Sequence, residues 1–284
     1  MANKIKILAD STCDLPPEVV QKFDIGIVPL YVIMDDKSYR DGVDTSSDVL
    51  YEYSDRTKLT PKTAAASVAD FIDVFTPYVE QGYDIIFMGI SSKFSSTIQN
   101  AALAAEEFPN AEIYAYDSLN LSTGIGLQVM YACELRDEGC SAKEIVEKLE
   151  EIRPKVRASF VVDVMTYLHR GGRCSTMQAV GAGVLQLHPE IVVSDGMMHA
   201  EKKYRGNIIK SALAYTNDLL ENIERIDNKR VFITCSSDTP ELINALKENV
   251  ESRGYFKEVL TSFAGSVVAS HCGPKTIGVL FIEK

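Results

Sequence analysis

Short apolar runs alternate along the first half of the chain with longer stretches in which apolar residues recur every third or fourth position. Residues 4–9 (KIKILA) read as a buried strand, and Asp14 is placed to cap a short helix with Pro16 and Pro17 in its first turn. Residues 25–33 form a second apolar strand, ended by the turn Asp35-Asp36-Lys37. Residues 59–66 (LTPKTAAA) read as a loop. A helix over about 67–81, a strand over 84–90 (DIIFMGI), the loop SSKFSST and an Ala-rich helix to Glu107 follow. A strand over 112–116 and a helix over about 121–137 complete this half, and repeated strand–helix–strand units imply a parallel sheet covered by helices.

The pattern then changes. An amphipathic helix over 141–152 leads to a strand over 159–163 and a short helix ending at Leu168-His169-Arg170-Gly171-Gly172-Arg173. Residues 190–193 and 197–203 flank Asp195-Gly196, a hairpin signal. Helices over 207–223 and 240–253 alternate with strands over 230–235, 257–262 and 276–282. The expected fold is α/β with two domains. Residues 1–155 form a Rossmann-like parallel sheet with flanking helices, and residues 156–284 form an α/β domain on a mixed or antiparallel sheet. The boundary falls where Pro154 interrupts the helical pattern.

Composition narrows the function. Of the 284 residues 46% are hydrophobic and 24% charged, the balance of an ordinary globular protein. A net charge of −11 argues against nucleic acid and against an anionic membrane surface as partners. No apolar run approaches the ~18–20 residues that span a bilayer, so stable membrane insertion is not expected. The start, MANKIKILAD, lacks a signal-peptide core, which places the protein in the cytoplasm. Cys13, Cys133, Cys140, Cys174, Cys235 and Cys272 are scattered without CxxC spacing and read as reduced packing residues, with no metal site. No GxGxxG or P-loop lysine motif occurs, so no cofactor is expected.

In open parallel sheets ligands bind beyond the carboxyl ends of the strands. Here those ends carry Asp10-Ser11-Thr12, the run from Ser91 and Ser92 to Thr97, and Asp117-Ser118. Ser95, Ser96 and Thr97 open a helix whose unpaired backbone N–H groups suit an anion, although serines there also serve simply as caps. His271, in the Gly/Pro-rich turn Ser270-His271-Cys272-Gly273-Pro274, titrates near neutrality in an ordinary setting and can donate to a carboxylate. His169, His188 and His199 read as structural or exposed. Basic charge gathers at 169–173 and at Lys202-Lys203-Tyr204-Arg205, as solvated surface or as a recognition patch.

Taken together, LADSTCDLP, VPLYV, DGVD, ISSKFSSTIQNA, YDS…STGIG, YLHRGGR, SDGMMHAEKKYRG and HCGPKTIGV resemble the DegV family, in family order and over essentially the whole chain. The resemblance implies one long-chain fatty acid held with its carboxylate at the sheet edge and its tail between the domains. It also implies a carrier rather than an enzyme: an ATP-using fatty acid kinase subunit phosphorylates the carboxylate, feeding phospholipid metabolism. The family's carboxylate-binding Thr matches Thr63, although Ala64, Ala65 and Ala66 depart from the family loop. Its Ser-Gly-Thr helix start matches Ser95-Ser96-Thr97, with Ser96 in place of Gly, and its His before Gly-Pro matches His271. Ser92 joins this fatty-acid-binding set. Arg205 matches an Arg implicated in kinase docking, with Arg173 and Arg170 as its neighbours. Two other readings stand beside this one. One is a serine hydrolase of acyl esters using Ser95, His271 and Asp117. The other is a regulator that binds phosphate or a nucleotide.

Overall fold

The computed structural model describes residues 4–173 and 186–284, and Cys174 lies outside them. In chain order the elements are β1 (Lys4–Asp10), α1 (Pro17–Lys22), β2 (Gly26–Val28), β3 (Tyr31–Met34), β4 (Lys37–Arg40), α2 (Ser47–Thr57) and β5 (Lys62–Ala64). Next come α3 (Val68–Glu80), β6 (Tyr83–Gly89), α4 (Thr97–Ala105), β7 (Ile113–Asp117), α5 (Thr123–Asp137), α6 (Ala142–Ile152), β8 (Val156–Val161) and α7 (Thr166–Gly171). The chain then forms β9 (Leu187–Ser194), β10 (Met197–Arg205), α8 (Ile208–Leu219), β11 (Ile226–Cys235), α9 (Pro240–Glu251), β12 (Glu258–Phe263), α10 (Ser266–Cys272) and β13 (Ile277–Glu283).

The expected α/β architecture holds. Strands β2-β1-β6-β7 form a parallel sheet. Strands β10-β9-β8-β13-β11-β12 form a mixed sheet that is antiparallel except for the β11–β12 pair. In the parallel sheet the chain leaves β1 for β2 on one side and later builds β6 and β7 on the other. The strand order therefore reverses at β1, and a crevice opens beyond the ends of β1 and β6. Helix α5 is buried along nearly its whole length, which a helix sandwiched between two layers requires. One apolar core joins Ile7 and Ile86 of the parallel sheet to Phe160 and Leu280 of the mixed sheet. Thr123 of α5 and Thr234 of β11 hydrogen-bond within it at 2.6 Å. Among the described residues no helix is long and apolar enough to cross a membrane.

Four expectations need correction. The apolar run 25–33 is not one strand: β2 joins the parallel sheet, while β3 joins a small antiparallel sheet, β4-β3-β5. Pro29 has no N–H to offer, and the Leu30 N–H is taken by Ser11 Oγ at 3.1 Å, so the ladder cannot continue. The segment read as a loop at 59–66 contains β5, in which Thr63 pairs with Val32. Asp14 does not cap α1, which begins behind Pro16 without a side-chain cap. Instead Asp14 closes a 3-10 turn over Ser11–Cys13 in a left-handed conformation, with φ 50°. Finally, His271 lies in the last turn of α10 and not in an open turn. That helix is short and buried nearly all round, so it carries no amphipathic period to betray it.

Candidate ligand-binding site

The loop after β1 organises the site. Asp10 is fully buried at the strand end. It accepts hydrogen bonds from Ile90 N–H at 2.8 Å and from the Thr12 backbone N–H and hydroxyl at 3.0 and 2.5 Å. Burial pushes its carboxyl up to about 6, against the pull of those bonds. Asp14 accepts from Gly265 N–H at 2.8 Å and from Ser122 Oγ–H at 2.5 Å. Asp41 accepts from Ser266 N–H at 2.7 Å and from Ser11 Oγ–H at 2.8 Å. Burial raises the pKa of both carboxyls. Together they satisfy N–H groups at the start of α10, so the loop after β1, with Asp41 beyond β4, holds a helix that begins more than two hundred residues later.

The far end of α10 presents His271. Its Nε2 lies 2.9 Å from Thr63 Oγ1, joining α10 to β5. With the proton on Nε2, His271 donates to Thr63, whose own hydroxyl is then free to donate to a ligand. The imidazole Nδ1 is shut away from solvent and has no partner among the described residues. A Cβ added at Gly171 would stand 2.4 Å from that Nδ1, so the YLHRGGR segment leaves the ring its space by having no side chain there. Burial, and then the Arg173 guanidinium, push the His271 pKa down to about 4. The expectation of titration near neutrality is thereby corrected: the ring is neutral at pH 7, because a buried cation beside another cation is unfavourable.

Thr63, Ser95, Ser96, Arg173 and His271 are polar residues lining a cavity of about 340 Å³, with Thr63, Arg173 and His271 together at one end of it. Its other walls are apolar: Leu30, Ala64, Ala65, Ile90, Phe94, Leu121, Met198, Val267, Val268 and Cys272. Past Leu121, Val268 and Cys272 it leads toward a smaller space of about 30 Å³ between the sheets, beside Phe160 and Leu280. Met198 reaches the cavity because the β9–β10 hairpin docks on the loop after β6. Ser91 Oγ donates to Gly196 O at 2.8 Å, and Asp195 and Gly196 turn with φ 49° and 75°, the sign pair a two-residue hairpin needs. At the polar end Thr63, Arg173 and His271 also border an open groove of about 520 Å³, with Lys58, Thr60, Lys62 and Arg170 on its sides.

The residues singled out from sequence are thus partly gathered. Thr63, Ser95, Ser96 and His271 all line the cavity, and Thr63 and His271 are in contact. Ser95 Oγ accepts from Thr97 N–H at 3.3 Å and pairs with Thr97 Oγ1 at 2.8 Å, whereas Ser96, at the N-cap of α4, makes no cap bond with its side chain. Ser92 is not among the lining residues, and its N–H faces the Asp117 carboxylate at 3.2 Å. Arg170 and Arg173 border the groove, while Arg205 ends β10, roughly 23 Å along the strand from Met198 at 3.3 Å per residue. The hydrolase reading is not supported: Ser95 is paired with Thr97, His271 with Thr63, and Asp117 accepts from Ser92 and Leu119 N–H groups. Sequence reasoning missed the apolar lining and Lys58 and Lys62, which carry no local signal and become neighbours only through β5.

A family model described as an uncharacterised protein of the DegV family matches residues 4–284. The chain belongs to the DegV family. It is 34% identical to a DegV domain-containing protein of Clostridium acetobutylicum over 99% of both chains. It is 30% identical to a fatty acid-binding protein of Thermotoga maritima over 97% of this chain and 96% of the other. Among solved structures, a fatty-acid-binding DegV family protein of Thermus thermophilus superposes with a TM-score of 0.91 at 30% identity, covering 99% of this chain and 100% of the other. A stearic-acid-binding protein of Eubacterium ventriosum gives 0.87 at 31% identity over 99% and 98%.

Proposed function

We propose that this protein binds one long-chain fatty acid in the cytoplasm and presents its carboxylate to an ATP-using kinase subunit. The tail lies between two domains, 1–155 and 156–284, and the carboxylate meets Thr63, Ser95, Ser96 and His271. The observation that carries this reading is the form of the cavity: apolar walls, one polar end at the Thr63–His271 pair, and an outlet to a cationic groove. The fatty-acid-binding relatives in the same family support it.

The energetics fit a carrier. Burying about 14 methylenes at ~0.8 kcal/mol each contributes on the order of 11 kcal/mol. Each hydrogen bond to the carboxylate adds ~1.5–3 kcal/mol. Loss of free motion on association removes ~4–15 kcal/mol. The tail therefore dominates affinity and the polar end fixes orientation. In the transfer step a carboxylate oxygen attacks the γ-phosphorus of ATP while the bond to ADP breaks, leaving an acyl phosphate. Arg205, with Arg170 and Arg173, is the proposed contact for the kinase subunit.

Native mass spectrometry of freshly purified protein, followed by denaturing extraction, tests the binding. A stoichiometric fatty acid that is lost in a Thr63→Ala/His271→Ala double variant is the expected result. Protein that is empty as purified and refuses added palmitate and oleate would overturn the reading.

A further inference from the structure

We infer that the groove outside the Thr63–His271 pair is a binding site for a phosphate-class dianion, formed by Lys58, Lys62, Arg170 and Arg173. The inference rests on the fatty-acid reading, because it concerns what lies one group beyond the carboxylate.

The charge pattern is its first support. Acidic residues outnumber basic ones by 40 to 29, and Arg40, Arg136, Arg153, Arg157 and Arg230 each lie against a carboxylate, whereas among the described residues Arg205, Arg225 and Arg253, scattered outside the groove, do not. None of the four groove cations has a carboxylate within 4.0 Å among the described residues, and residues 1–3 and 174–185 contain no Asp or Glu. Like charges gathered in one depression repel one another, and an anion relieves that repulsion.

The second support is how the arginines are held. Arg170 Nη1 donates to Lys58 O at 3.2 Å and Arg173 Nη1 donates to Gly171 O at 2.8 Å. Each guanidinium is tied to the backbone by one nitrogen, and among the described residues neither makes a hydrogen bond through its other terminal nitrogen. A planar fork of this kind suits the oxygens of a phosphate.

Position is the third. Thr63, Arg173 and His271 border both the cavity and the groove, so the two compartments meet at the proposed carboxylate site. A single carboxylate already has hydrogen-bond partners in the cavity and needs no such surplus of positive charge. A phosphoryl group joined to that carboxylate would emerge into the groove and meet it. The dianion is then the head of an acyl phosphate, or a free or nucleotide phosphate that visits the same cations.

Calorimetry on delipidated full-length protein separates these cases, using palmitate, 2-oxoheptadecylphosphonate as a stable acyl phosphate mimic, and inorganic phosphate. The phosphonate is expected to bind at least about tenfold tighter than palmitate. In a Lys58→Ala/Lys62→Ala variant that preference should shrink severalfold, with palmitate affinity changed less than about threefold. Equal affinity for phosphonate and palmitate in the unaltered protein would overturn the inference, and so would a preference that survives intact in the variant. With the preference present, competition by 10 mM inorganic phosphate, a concentration of roughly laboratory-buffer order, supports a site that also takes free phosphate. Absence of competition supports one that takes phosphate only on an acyl chain. Failure of palmitate itself to bind would strike the fatty-acid reading and is distinguishable from all of these.

Discussion

The inner cavity and the outer groove touch at Thr63, Arg173 and His271, yet their walls are of opposite chemistry. The cavity is walled by aliphatic and aromatic side chains contributed by β5, β10, α10 and the loops after β2, β6 and β7. Burial drives two ionisable groups beside it toward neutrality: Asp10, beneath the loop after β6, rises to about 6, and His271 falls to about 4. The groove carries the exposed side chains of Lys58, Lys62, Arg170 and Arg173. The difference teaches a division of labour. Apolar contact, insensitive to salt, supplies affinity inside, while charge outside acts over distance and is screened by salt.

The sharpest way to break this comparison is to fill the cavity. Val268 borders both the main chamber and the small space behind it, so Val268→Trp should weaken palmitate binding by about 100-fold or more, the loss of several buried methylenes. Titration calorimetry checks this, with the thermal midpoint confirming that the variant folds. Unchanged affinity would mean that the tail lies elsewhere.

Next in size is the buried carboxyl at the base of the site. Asp10 holds its proton more firmly folded than unfolded, so its contribution is fully present below pH 3.8 and is lost as pH rises through about 6. Relative to Asp10→Asn, the stability of the unaltered protein should therefore fall by about 2.5 kcal/mol between pH 3.8 and pH 7. Urea unfolding at several pH values reads this slope, and a parallel pair of curves would show that Asp10 ionises as freely as in the unfolded chain.

A smaller effect sharpens the border between the compartments. In Gly171→Ala the new methyl would stand against His271 Nδ1, so the ring must move off Thr63. The expected cost to palmitate binding is ~1.5–3 kcal/mol, the value of one hydrogen bond to a charged group, with no change in preferred chain length. Altered chain-length preference would place Gly171 against the tail instead. At the small end, Arg205→Glu should leave palmitate affinity within about twofold, since Arg205 ends β10 far from the cavity, while abolishing phosphorylation by the proposed kinase partner. Loss of lipid in that variant would assign Arg205 to the pocket.

How much of this was legible beforehand varies with the range of the interaction involved. The parallel units, the Asp195-Gly196 turn and the strand near the carboxyl terminus announce themselves through periodicity and turn chemistry, which are local. Asp14 was misread because a carboxylate before two prolines resembles a helix cap, whereas its partner, the Gly265 N–H, is remote in sequence. His271 stands out in its Gly/Pro-rich context and in the family resemblance, but its helix does not, since a seven-residue buried helix has too few residues to show a period. Thr63 was marked by resemblance alone. Its strand pairing with Val32 was hidden by a run of alanines that favours no sheet. The cavity walls could not be read at all, because Leu30, Phe94, Met198 and Val267 are ordinary apolar residues until the fold brings them together.

The mooring of α10 has a consequence for kinetics. Its first N–H groups are held by Asp14 and Asp41 from the first part of the chain, and its last turn is held by Thr63. Any exchange of cargo that proceeds by parting the sheets must first cast off these bonds, each contributing ~0.5–1.5 kcal/mol, and it must do so nearly at once. A helix tied at both ends acts as a latch, lengthening residence time without adding any contact to the cargo. Loosening one mooring, as in Asp41→Asn, would then speed release more than it weakens capture.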